Sequence, residues 1–129
     1  MSLLQNIWKY FTGESKALVP QVEWTLADAL AVVRNTEIAL ASFNAHVALA
    51  GGVLQCGYSY KDLDIIIYPS KTRKTYSWAS MKEQLTRCDI DFTGPNECAD
   101  HSKYGDDKFV CVGHLDGKRI DFIVLEFMP

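Results

Sequence analysis

The chain has 129 residues, 48% of them hydrophobic and 22% charged, with a formal net charge of −3. That balance argues against wholesale disorder and, short of a local basic patch, against a mainly electrostatic nucleic-acid binder. The length predicts a single domain over residues 1–129 with a core of its own.

In chain order, Leu3, Leu4, Ile7, Trp8 and Phe11 fall at helical spacing, which predicts a short amphipathic helix over 1–12 that packs on the domain core. The same stretch lacks the charged, apolar and small-residue regions of a signal peptide. No apolar run approaches the ~20 residues of a spanning helix. Thr25 and Asp28 form an N-terminal cap pattern, and Leu26, Leu30, Val33 and Leu40 continue it as a long helix to about Phe43, with Asn44 as the stop. His46–Ala50 reads as a short strand running into Gly51-Gly52 and then a compact turn or short helix. Leu63–Tyr68 is a second strand, ended by Pro69. It is apolar on both faces and therefore expected to be central and covered on both sides.

Lys71, Arg73 and Lys74 make a basic loop. Tyr76–Cys88 is a second long helix presenting Trp78, Met81 and Leu85, and Asp89–Phe92 is a short strand candidate. Residues 94–105 are a polar loop. Lys108–Leu115 and Lys118–Phe127 flank Asp116-Gly117, the strongest two-residue hairpin signal. The four cysteines show no metal-ligand spacing and are expected to be reduced thiols of a cytosolic protein.

Chemistry concentrates at the second strand. Side chains alternate along a strand, so Asp62 and Asp64 share one face and can share a cation. With Asp116-Gly117 as a two-residue loop, Val112 faces Asp121 and His114 faces Arg119. Asp121 then stands among aliphatic side chains. An unpaired charge there costs several kcal/mol or stays protonated. Its candidate partners are Arg119, two residues away on the same face, and a metal ion. If the Asp121 strand lies beside the Asp62/Asp64 strand, three carboxylates converge, and two Mg²⁺ ions roughly 3.5–4 Å apart would turn them into a site for in-line phosphoryl transfer. Gly51-Gly52, at a strand-to-helix turn, would let a phosphate approach the backbone.

Ala50-Gly51-Gly52, nine residues, then Asp62-Leu63-Asp64-Ile65, with Ile120-Asp121-Phe122 on a later strand, resembles the signature of the polymerase-beta-type nucleotidyltransferase superfamily. The resemblance implies the nucleotidyltransferase fold, an α/β (α+β) arrangement in which a short mixed β-sheet is backed by helices. It implies that Asp62, Asp64 and Asp121 are catalytic and hold Mg²⁺ or Mn²⁺, and that Gly51 and Gly52 lie against a nucleoside triphosphate such as ATP. Lys61 is a further nucleotide-binding candidate, with a solvated surface lysine as its bland alternative. The implied reaction moves a nucleoside monophosphate from the triphosphate to a hydroxyl, on an RNA end, a small molecule or a protein, and releases pyrophosphate.

Gly52 and Lys61 stand where many relatives have serine, and Gln55-Cys56 stand where tRNA-terminal-adding relatives have Arg-Asp. Little sequence follows Asp121, so the resemblance is expected to be to the minimal, single-domain members, which implies a homodimer or a helical partner protein. The cysteines and the lack of a long apolar run set the expectation of a cytoplasmic protein away from a membrane. The rival expectation is a non-catalytic binding or regulatory subunit of the same fold, such as the small partner of a toxin–antitoxin-like pair. Asp89-Ile90-Asp91-Phe92 repeats the Asp-apolar-Asp-apolar grammar without a glycine turn and is expected to be an exposed strand end. Gly105-Asp106-Asp107 is expected to be a turn, and His114 and Arg119, cross-strand neighbours near the hairpin tip, to be surface residues, with the rim of the site as the alternative.

Overall fold

Thr25 starts the first helix as anticipated: its Oγ1 accepts the Asp28 N–H at 3.2 Å, satisfying one of the orphan donors of the first turn. The computed structural model describes residues 21–70, 77–93 and 108–125. The elements run β1 (Trp24–Thr25), α1 (Leu26–Leu40), β2 (Ala45–Ala50), α2 (Gly51–Cys56), β3 (Tyr58–Ser59), β4 (Asp62–Pro69), α3 (Trp78–Thr86), β5 (Lys108–Leu115) and β6 (Lys118–Leu125). The N-terminal helix expected over 1–12, the basic loop at Lys71, Arg73 and Lys74, the polar loop over 94–105, and Gly105-Asp106-Asp107 lie outside the described residues.

The last turn of the first helix tightens into a 3₁₀ turn over Ala41–Phe43, and Asn44 closes it in the left-handed region at φ 54°. Asparagine tolerates that conformation because its short polar side chain bonds locally. The chain reverses there into β2. At the other end of the molecule Asp116 and Gly117 both have positive φ, 52° and 78°, as a type I′ hairpin turn requires. The anticipated pairs Leu115↔Lys118, His114↔Arg119 and Val112↔Asp121 all form.

Four strands make one mixed sheet in the order β2-β4-β6-β5, with β2 antiparallel to β4, β4 parallel to β6, and β5 antiparallel to β6. The core lies on one face of it. Leu63, Ile65 and Ile67 of β4 and Ile120, Phe122 and Val124 of β6 are buried, under Ala29, Val32 and Leu40 of α1 and Trp78, Met81 and Leu85 of α3. Each such aliphatic side chain contributes roughly 1.5–3 kcal/mol by leaving water. The Trp78 ring meets Phe92, Phe109 and Phe122 with centroids 5.9, 6.4 and 5.9 Å away.

Several expectations are corrected. The strand with the Ile65-Ile66-Ile67-Tyr68 run is central, but it is not covered equally on both sides. Ile66 is half-buried and Tyr68 is exposed on the face that carries Asp62 and Asp64, because the helices pack on the opposite one. Asp89–Phe92 is not a strand; it makes a single bridge, Asp91 with His114. The second helix ends at Thr86, with Asp89 turned to φ 69°. Cys111 is engaged in a disulfide, so the expectation of four reduced thiols fails there, whereas Cys56 and Cys88 are free. The two-residue pairing of β1 with β3, Trp24↔Ser59 and Thr25↔Tyr58, is an addition. No described helix is long and apolar enough to cross a membrane.

Candidate metal centre

The parallel pairing of β4 with β6 decides the geometry. Its register sets Asp64 opposite Asp121 and Asp62 opposite Arg119. Because Leu63 and Ile65 point into the core, Asp62 and Asp64 must point away from it, and so must Asp121 between Ile120 and Phe122. The three carboxylates offer oxygens that all lie within 4.8 Å of one another, each on a half-buried residue.

Both ends of the cluster are shaped by short local devices. At the entry to β4, Ser59 Oγ accepts the backbone N–H groups of Lys61 and Asp62, each at 3.2 Å, which turns the chain so that the strand starts on Asp62. At the end of β2, Ala50 pairs with Asp64, so the next residue lies against the Asp64 side chain. That residue is Gly51, at φ +66°, and a Cβ there would collide with Asp64 Oδ2. Glycine is thus required twice, by the backbone and by the carboxylate. Gly52 is different: its φ is ordinary, and an added Cβ would meet only Tyr58 O, at 3.9 Å.

The carboxylates repel one another. Burial first, and then the charges of Asp62 and Asp121, push the Asp64 carboxyl up to about 6, with Arg119 pulling the other way. Arg119 relieves Asp121: its Nε donates to Asp121 Oδ1 at 2.7 Å and its Nη2 to Oδ2 at 3.4 Å. That hydrogen bond raises the Arg119 guanidinium above its ordinary value. Arg119 is itself anchored through its backbone, whose carbonyl accepts the Trp24 indole N–H at 2.9 Å. Lys118, next in the chain, is occupied elsewhere: its Nζ lies 4.1 Å from the Trp24 ring centroid and donates to Glu23 O at 3.0 Å.

Among the described residues, three carboxylates against one guanidinium leave two negative charges uncompensated. The donor atoms are all carboxylate oxygens, the hard ligands that suit Mg²⁺ or Mn²⁺ rather than a soft metal. The space kept open at Gly51 leaves Asp64 room to ligate. The residues fit a divalent cation.

Of the anticipated site residues, the fold brings Asp62, Asp64 and Asp121 together and lays Gly51 against Asp64. Gly52 and Lys61 are exposed nearby, without a side-chain contact to the cluster among the described residues. Arg119, expected at the surface with the rim of the site as the alternative, takes the alternative place: its fork to Asp121 draws it over the acidic face. The i, i+2 spacing of Arg119 and Asp121 was the available signal. Ser59 and Trp24 carried no legible signal, since each acts through a contact distant in space or made by a backbone turn. His114 is half-buried on β5, and its backbone bonds Asp91 in both directions at 2.8 Å.

No family model matches the chain, and no curated protein shows significant similarity to it.

Proposed function

We propose that the chain has the nucleotidyltransferase fold and is a metal-dependent nucleotidyltransferase of the polymerase-beta type, acting on a nucleoside triphosphate and a hydroxyl acceptor. The observation that carries this reading is the convergence of Asp62, Asp64 and Asp121 within 4.8 Å, on the open face of a sheet, with Gly51 cleared of any side chain beside Asp64. An acidic cluster alone is common; one whose neighbour must be glycine for its carboxylate to fit is less so.

On this reading Asp62, Asp64 and Asp121 hold Mg²⁺ or Mn²⁺, which when bound supplies charge neutralisation for the carboxylates and the triphosphate. The acceptor hydroxyl oxygen attacks the α-phosphorus, the bond to the bridging oxygen breaks, and pyrophosphate leaves. The hydroxyl proton passes to a carboxylate of the cluster, Asp121 by analogy with the family. Gly52, exposed and without a side chain, lets the triphosphate approach the backbone. Lys61, exposed just ahead of β4, offers a cation to it. The protein's share in such chemistry is positioning and electrostatics. The half-exposed apolar residues of the same sheet face, Ile66 and Ile123, leave room for a covering partner or second copy, as the minimal members of that family have.

One observation favours the rival reading, a non-catalytic binding or regulatory subunit: Arg119 already neutralises Asp121 without a metal. Thermal unfolding separates the two. With Mg²⁺ or Mn²⁺ and each common nucleoside triphosphate, a ligand at about a hundred times its dissociation constant adds ~2.7 kcal/mol. The enzyme reading requires a melting shift that needs metal and triphosphate together and is lost in Asp64→Asn. No shift with any combination rejects it and leaves the regulatory subunit.

A further inference from the structure

Asp121 faces two partners that compete for it. As a member of the acidic cluster it has oxygens within reach of a cation shared with Asp62 and Asp64. At the same time both of its oxygens are taken by the Arg119 fork, at 2.7 and 3.4 Å. A guanidinium and a divalent cation on the same carboxylate would repel at short range, in a setting screened less than open water. The geometry also provides a way out. The Arg119 main chain is fixed through Trp24, but its side chain is 40% exposed, whereas that of Asp121 is 16% exposed. The arginine can therefore swing into solvent while the aspartate stays. Lys118 does not replace it, being committed to Glu23, Asp28 and the Trp24 ring.

We infer that Arg119 is an exchangeable internal counter-ion: it holds Asp121 when no divalent cation is bound and leaves that carboxylate when one binds. The inference rests on the reading of the acidic cluster as a metal centre. It adds that metal binding is opposed by a built-in competitor and coupled to a side-chain movement. Arg119 is a positioning residue in this scheme, acting through Asp121. Such a competitor keeps one of the three close carboxylates, Asp121, from standing unpaired in the metal-free protein.

The test is Mn²⁺ binding without nucleotide, followed by the loss of the free-ion paramagnetic resonance signal, for wild type, Arg119→Gln, Lys118→Gln and Asp64→Asn. Removing the competitor spares the cation the breaking of the two-bond fork, of which the 2.7 Å bond is the stronger, so Arg119→Gln should bind Mn²⁺ about tenfold more tightly. Lys118→Gln removes the same charge one residue away and should stay within about twofold of wild type. Equal or weaker binding in Arg119→Gln, or equal tightening in both variants, overturns the exchange while leaving the metal centre standing. Binding absent from wild type and Arg119→Gln alike overturns the metal centre and the exchange with it. A second measurement, on the unaltered protein, holds if Arg119→Gln fails to fold. The Arg119 Nε–H resonance should shift as Mg²⁺ is added and saturate at the concentration that fills the site. A resonance unmoved at saturating Mg²⁺ rejects the inference.

Discussion

Asp62-Leu63-Asp64-Ile65 and Asp89-Ile90-Asp91-Phe92 share one grammar and end in opposite circumstances. In the first stretch the carboxylates converge with a third acid, and the Asp64 carboxyl is pushed up to about 6 by burial and by its neighbours' charge. In the second the carboxylates are exposed. Asp91 accepts from the Thr93 hydroxyl at 2.6 Å and its N–H at 2.8 Å, which hold it below the ordinary carboxylate range. Each stretch has a glycine across from it, and the two glycines serve opposite halves of the pattern. Gly51 makes room for the Asp64 carboxylate, whereas a Cβ on Gly113 would press on Ile90 Cγ2 at 2.8 Å and Phe92 at 3.0 Å. The same four-letter pattern thus turns its acids toward its neighbour in one case and its hydrophobic side chains in the other. What lies across the sheet decides which, and no local pattern reports that.

The largest way to break this contrast is at the glycines. Gly51→Ala should cost ~2–4 kcal/mol, through positive φ together with the collision at Asp64. Gly113→Ala should cost ~1–3 kcal/mol, through overpacking alone. Urea unfolding measures both. A Gly51→Ala protein as stable as wild type would mean that the approach to Asp64 is not what confines that carboxylate.

Next in size is the response to metal. Mn²⁺ at about a hundred times its dissociation constant should raise stability by ~2.7 kcal/mol in wild type and in Asp91→Asn, and leave Asp64→Asn unmoved. Parallel melting curves in all three would erase the distinction between the two stretches.

The acid–base behaviour should differ in sign. The Asp64 carboxyl in the folded protein titrates at about 6, above the ~3.9 of an unfolded aspartate. Between those values the native state binds the extra proton. Stability of the metal-free protein therefore falls as pH rises from about 4 through about 6 and stays lower above that. Asp64→Asn removes this fall and should be more stable than wild type at neutral pH, by on the order of 1 kcal/mol after allowance for solvent screening of a half-exposed group. The gap should close near pH 4. A variant less stable than wild type at neutral pH without metal would contradict the electrostatic account.

Asp91 has the smallest expected effect and the opposite direction. Its depressed carboxyl adds stability above the unfolded value, lost as pH falls through the folded one. Asp91→Asn should melt with wild type at neutral pH within the precision of calorimetry, since the group is exposed. A clear shift there would show that the second stretch also carries strain.

Local chemistry accounts for what could be read in advance. The Thr25 cap, the Asn44 stop, the Asp116-Gly117 hairpin and the alternation that sends Leu63 and Ile65 inward are decided within a few residues of themselves, and each formed as expected. From alternation and burial alone the convergence of Asp62, Asp64 and Asp121 was conditional on two strands lying side by side, and it was the resemblance of the Gly-Gly and Asp-apolar-Asp-apolar spacing to a known signature that set the three acids together. The remainder depended on distance in space. β1 and β3 are two residues long, too short to show a period. The run Ile65-Ile66-Ile67 is equally greasy on both sides, so its letters do not say that helices cover only one. The disulfide at Cys111 depends on which segments meet in space.

The parallel contact between β4 and β6 has a bearing on assembly. No hairpin dictates its alignment, and sliding one strand by a single residue would turn Asp121 toward the core and Phe122 toward the acidic face. Such a misaligned form would lose Asp121 from the acidic cluster and, in the same step, a carboxylate's hydration and a phenyl ring's packing. The cost of misreading the alignment is thus borne by the whole domain. Chains that fold at all should emerge with the acidic cluster assembled, and a folded population with half of the cluster should not accumulate.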